Sequence, residues 1–191
     1  MEVFMKLRPY FTKSQVLTLP NLLSAVRLAL IPVLIWVYLG LRDYPLAAII
    51  FILSTLTDIV DGFIARKFNM ISDLGKALDP IADKLTQLAT LVCLVTRYVY
   101  MLIPLGLLLL KEVFSGIISL ISINKTGEVR GAEWHGKLTT ILISLTIVIH
   151  ILWYDIPEFA SYTSIGVCLA SMALSLILYT LRHIKPLRKK N

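Results

Sequence analysis

A chain of 191 residues that is 57% hydrophobic and only 16% charged, with a mean hydropathy of +0.79, carries more apolar surface than a water-soluble domain of this size can hide. Its formal net charge of +7 does not indicate nucleic acid, because the cations stand at the ends of apolar runs and not on a stripe interleaved with aromatics. A disulfide or zinc framework is equally unsupported, since Cys93 and Cys168 each lie inside an apolar run, and composition points to an all-α integral membrane protein with no nucleic-acid partner.

Residues 1–16 mix Phe4, Met5, Tyr10 and Phe11 with Lys6, Arg8 and Lys13, which suits an N-terminal interfacial, juxtamembrane segment or a flexible tail. The apolar run that follows is too long for the roughly 7–15 residues of a signal-peptide core and lacks a small-residue cleavage site, so it is read as a first spanning helix. A span needs about 20 apolar residues, and stretches of that order recur at 19–41, 44–65, 76–95, 100–123, 137–154 and 159–181. Six transmembrane helices are expected, forming one domain over 17–185 and followed by a basic tail at 186–191. Break signals separate them, among them Gly40 through Pro45 and Asp155-Ile156-Pro157. Lys and Arg crowd one side of this topology, with Arg66, Lys67, Lys125, Arg130 and Arg182 joining both termini there. Both termini are therefore expected to be cytoplasmic. Trp36, Trp134 and Trp153 read as interfacial belt residues. A bacterial plasma membrane is the expected location, because the chain is compact and shows no organelle-targeting extension.

The second and third apolar stretches carry carboxylates that a spanning helix does not tolerate without cause. An aspartate at a helix centre costs roughly 2.5–3.5 kcal/mol on insertion scales, less near the interface. Asp58, Asp61, Gly62, Ala65 and Arg66 fall within one arc of the second helix, and Gly75, Asp79 and Asp83 within one arc of the third. The short connection between these helices makes them antiparallel neighbours, so two carboxylates from each converge. Four aspartates without His or Cys form an all-oxygen, strongly negative site that stays ionised only around cations. Mg²⁺ or Mn²⁺ suits it, and two such ions about 3.5–4 Å apart form the clamp known for phosphoryl displacement. Ser72 and Asp73 read simply as a helix cap. Asp79-Pro80 implies either a kink or a helix start.

At these positions the chain resembles the CDP-alcohol phosphotransferase family. The signature D-x2-D-G-x2-A-R-x8-G-x3-D-x3-D is met at every fixed position, by Asp58, Asp61, Gly62, Ala65, Arg66, Gly75, Asp79 and Asp83. The resemblance implies a metal-dependent enzyme in which Asp58, Asp61, Asp79 and Asp83 bind two divalent ions and Asp83 is also the catalytic base on the acceptor hydroxyl. It further implies that Asp58, Asp61, Gly62, Ala65, Arg66, Gly75 and Asp79 bind CDP-diacylglycerol, that CMP leaves, and that the enzyme is a homodimer. Arg66 is open to two roles, gripping phosphate or pairing with an aspartate.

The acceptor is read from Pro20-Asn21, Arg27, Lys111-Glu112 and the Gly136-Lys137-Leu138-Thr139-Thr140 turn, which look like those of synthases that use glycerol 3-phosphate. Lys111, Lys137 and Arg182, all near helix ends, are the expected cations for the acceptor phosphate. Two departures stand against this. Lysine at 111 replaces an arginine fork, and Thr139 replaces a second lysine. Phosphatidylglycerol, as in a cardiolipin synthase, an inositol phosphate and serine are the alternative acceptors, and interface snorkelling is the plain alternative for Lys111 and Lys137. His135 is a weaker acceptor-site candidate. A cation-coupled carrier is the rival class, but it would spread acidic residues through several helices toward both faces.

Overall fold

The computed structural model describes residues 19–67, 73–126 and 134–188, with side chains described over 21–57, 79–118 and 134–182. The interfacial segment expected at 1–16 and residues 189–191 of the tail lie outside the described residues. Among the described residues the fold is entirely helical, with α1 at Leu19–Ile35, α2 at Tyr44–Lys67, α3 at Asp73–Val95, α4 at Leu102–Thr126, α5 at Trp134–Leu152 and α6 at Glu158–Arg188. Four stretches in this set are long and apolar enough to cross a membrane, Asn21–Leu41, Val99–Ile118, Trp134–Leu152 and Glu158–Arg182. The described side chains of α2, Tyr44–Thr57, form a shorter apolar stretch, and Asp58, Asp61, Arg66 and Lys67 lower the apolarity of the rest of that helix. The charges of α3, from Asp73 to Lys84, have the same effect. The chain divides into two compact units, Met1–Cys93 and Leu94–Asn191.

In the first unit α1 passes through Pro32 and widens into a π-helical turn at Trp36–Leu41. Within that turn a Cβ on Gly40 would come within 3.1 Å of the Trp36 ring, so the missing side chain is what lets the indole lie there. Arg42 then adopts a left-handed conformation, φ 55°, which stops the helix. Asp43 caps the next one: its Oδ1 accepts the Leu46 amide at 3.0 Å while its carbonyl accepts Ala47, an arrangement whose loss costs about 1 kcal/mol. α2 packs back on α1, and Ala47, Ala48 and Phe51 of α2 are buried, as are Leu34 of α1 and Val37 and Tyr38 of its π-helical turn. Pro80 sits inside α3 and does not begin a helix there, which decides between the two expectations for it.

The second unit is built around α6, which packs against both α4 and α5. Along α5 the buried positions His135, Thr139, Ile143, Thr146 and His150 recur at spacings of three and four, the period of a helix–helix seam. The facing residues of α6 are small. His135 Nδ1 meets Ser175 Oγ at 3.1 Å, Thr139 donates to the Ser171 carbonyl at 3.2 Å, and His150 Nε2 meets Ser161 Oγ at 2.8 Å. Small residues with polar cross-links are what hold helices together where lipid removes the hydrophobic drive. The outer faces agree with that setting, since Ile103, Leu110, Phe114, Ile141 and Phe159 are all exposed.

Candidate active site

α3 buries a polar stripe alongside Ala82, Leu91, Cys93 and Leu94. Thr86, Gln87 and Thr90 are buried while Ile81, Leu85 and Val92 are exposed, the reverse of a helix that faces water and the pattern of one that faces lipid. Asp79 and Asp83 head this inward stripe, one turn apart and half-buried. Gln87 follows one turn later and donates from Nε2 to Asp83 Oδ1 at 3.4 Å, whereas its own Oε1 meets no donor among the described residues. Lys84 Nζ approaches Asp83 Oδ2 at 3.6 Å. That pair is partly exposed and is worth at most about 1 kcal/mol.

α1 shows the same inversion. Asn21, Ser24 and Arg27, three residues apart and so on one face, are 4%, 0% and 1% exposed, while Leu22, Val26 and Val33 are open. The Ser24 hydroxyl donates to Asp79 Oδ1, a side-chain link from α1 to the carboxylate stripe of α3. A guanidinium as deeply buried as that of Arg27 is retained only where acceptors meet it. On α2, Ser54 is fully buried with its hydroxyl unanswered among the described residues. Beyond it the helical backbone runs through Asp58, Asp61, Gly62, Ala65 and Arg66, and Gly75 lies in the backbone of α3. The side chains of these six residues lie outside the described residues.

Of the four expected metal ligands, then, Asp79 and Asp83 are seen side by side. Among the described residues no three of His, Cys, Asp and Glu gather at one point, two of the expected four carboxylates being outside that set. The ligand groups that are present, the two carboxylates of Asp79 and Asp83, fit a hard divalent ion by their oxygen chemistry.

The expected acceptor cations belong to the second unit. Lys111 is buried and paired with Glu112 Oε1 at 2.8 Å, so its ammonium does not snorkel outward. Lys137, in the first turn of α5, and Arg182, near the end of α6, are exposed. His135 is taken up in the α5–α6 seam through Ser175. Sequence reasoning missed Ser24, Ser54 and Gln87. The signal was a polar residue every three or four positions through an apolar run, in line with Asn21 and Arg27 on α1 and with Asp79 and Asp83 on α3.

The profile described as CDP-alcohol phosphatidyltransferase matches residues 17–180. A CDP-diacylglycerol-glycerol-3-phosphate 3-phosphatidyltransferase of Bacillus subtilis (strain 168) is 33% identical over 160 residues, covering 74% of this chain and 81% of that protein. One of the same name from Rickettsia bellii (strain RML369-C) is 42% identical over 98 residues, 49% of this chain and 53% of that protein. A cardiolipin synthase (CMP-forming) of Streptomyces coelicolor is 43% identical over 100 residues, 50% of this chain and 45% of that protein. The chain thus spans about half the length of the last two relatives.

Proposed function

The chain belongs to the CDP-alcohol phosphatidyltransferase family, and from that premise we propose that it transfers the phosphatidyl group of CDP-diacylglycerol to glycerol 3-phosphate, yielding phosphatidylglycerol phosphate and CMP. The observation that carries this reading is the similarity to the Bacillus enzyme, which runs over 74% of the chain. The full eight-position signature from Asp58 to Asp83 supports the chemistry.

The enzyme works as a six-span domain over 17–185, between the segment at 1–16 and the basic tail at 186–191, as a homodimer in the bacterial plasma membrane with both termini cytoplasmic. α2 and α3 have 24 and 23 residues, enough to cross at about 1.5 Å per residue. Their charged turns then sit toward the cytoplasmic interface, where a soluble nucleotide headgroup enters.

Asp58, Asp61, Asp79 and Asp83 would hold two Mg²⁺ or Mn²⁺ ions, which when bound offset the charge of the diphosphate and of the leaving CMP. Asp83 takes the proton of the acceptor hydroxyl. The freed oxygen bonds to the phosphatidyl phosphorus as the bond from that phosphorus to the bridging oxygen breaks, and CMP departs with the bonding pair. Gln87, by engaging Asp83 Oδ1, orients the base. Gly62, Ala65 and Gly75 give the CDP moiety room at the helix surfaces, and Arg66 binds its phosphate or steadies an aspartate. Lys111, Lys137 and Arg182 are assigned to the acceptor phosphate on the strength of the sequence.

A second reading, transfer to phosphatidylglycerol, is favoured by the similarity to the Streptomyces cardiolipin synthase and by lysine and threonine at positions 111 and 139. Product analysis separates the two. Purified protein given CDP-diacylglycerol, Mg²⁺ and glycerol 3-phosphate should form phosphatidylglycerol phosphate, detected by mass spectrometry. Absence of that lipid, with cardiolipin formed when phosphatidylglycerol is supplied, would replace the first reading by the second.

A further inference from the structure

We infer that Ser24 is a positioning residue for Asp79. The inference deepens the proposed reading and rests on it, because it takes Asp79 to be a metal ligand.

The two residues are 55 positions apart and on different helices, yet the Ser24 hydroxyl donates directly to Asp79 Oδ1. Ser24 is wholly buried on α1, on one face with Asn21 and Arg27, and a serine hydroxyl there is retained at a desolvation cost unless its proton has an acceptor. Asp79 stands one residue before Pro80, which lacks the amide that would close the local helical bond, so the backbone of that turn constrains the aspartate less than an ordinary turn would. A donor from a second helix supplies the missing constraint. It holds one carboxylate oxygen, and among the described residues no partner is seen at the other, Oδ2, which is the oxygen left for a cation. Hydrogen bonds of this kind from outside the ligand set fix the orientation of ligating carboxylates, and their loss typically costs about 10–100-fold in metal affinity.

The test uses the full-length protein in detergent and titrates Mn²⁺ by electron paramagnetic resonance in wild type, Ser24→Ala, Ser24→Thr and Asp79→Asn. Ser24→Ala should weaken Mn²⁺ binding by about 10-fold or more, and saturating Mn²⁺ should bring its CMP-release kcat back toward wild type. Ser24→Thr keeps the hydroxyl and should bind Mn²⁺ like wild type. Unchanged Mn²⁺ affinity in Ser24→Ala, whether or not its melting temperature drops, would overturn the inference and leave Ser24 a packing residue. Asp79→Asn separates the two levels. Loss of Mn²⁺ binding there with none in Ser24→Ala sinks the positioning role alone, whereas Asp79→Asn binding Mn²⁺ as wild type does removes the metal reading of Asp79 and the inference with it.

Discussion

Replacing Gln87 by leucine should leave the protein as stable as before, or more so, while impairing its chemistry. The contact removed, Nε2 to Asp83 Oδ1, is long at 3.4 Å. A hydrogen bond to a charged group is worth about 1.5–3 kcal/mol at good geometry, so this one is worth about 1 kcal/mol. The same substitution deletes Oε1, a buried oxygen with no donor among the described residues, whose desolvation costs about 1–3 kcal/mol. Leucine is close in size and suits a position that is 1% exposed. The balance runs from about zero to 2 kcal/mol in favour of the variant, or a rise of up to about 8 °C at about 2–4 °C per kcal/mol for a chain of this length. Cys93 and Cys168 are free and buried, so a thiol-reactive fluorophore reports the melt as they become exposed. CMP release should fall about tenfold, the scale expected when a group that orients a working carboxylate is lost. A melting temperature several degrees below wild type with unchanged CMP release would refute the reasoning and make Gln87 a structural pin.

Asp83→Asn keeps the shape of the residue but not its capacity to take a proton. It should abolish turnover while retaining at least part of the binding of CDP-diacylglycerol, and wild-type rates from that variant would refute the assigned base. Chelation with EDTA should stop CMP release, and added Mg²⁺ or Mn²⁺ should restore it; full activity after chelation would remove the metal account. In the second unit, His150→Phe loses the contacts of Nδ1 with the Thr146 carbonyl and of Nε2 with Ser161 Oγ, both 2.8 Å. At about 0.6–1.7 kcal/mol for each such bond in a membrane protein, the variant should melt several degrees lower yet turn over normally at low temperature. An unchanged melting temperature would mean that the α5–α6 seam does not depend on this cross-link.

Much of the architecture was legible because spanning helices announce themselves by length and apolarity. α1, α4, α5 and α6 coincide with four of the six expected stretches, differing only at their ends. The conspicuous aspartates were legible for the opposite reason, being costly where they stand. What the sequence concealed was the quieter polar half of the site. A buried Ser24 or Gln87 differs little from an exposed one in composition, and only the hydrogen bond from α1 to α3 shows which carboxylate Ser24 serves, as only the bond within α3 shows it for Gln87. The π-helical turn at Trp36–Leu41 and the left-handed Arg42 were likewise hidden, since a non-glycine residue at φ 55° carries no sequence mark. Lys111 shows the limit from the other side. Sequence left its ammonium free to snorkel or to bind phosphate, and the neighbouring Glu112 turns out to hold it.

The alcohol that releases CMP identifies the acceptor. Purified protein with CDP-diacylglycerol and Mg²⁺ or Mn²⁺, offered glycerol 3-phosphate, phosphatidylglycerol, an inositol phosphate and serine in parallel, should release CMP with glycerol 3-phosphate alone. Release with phosphatidylglycerol instead would contradict the assigned acceptor while leaving the aspartate chemistry in place, and no release with any of the four would contradict the transferase reading itself.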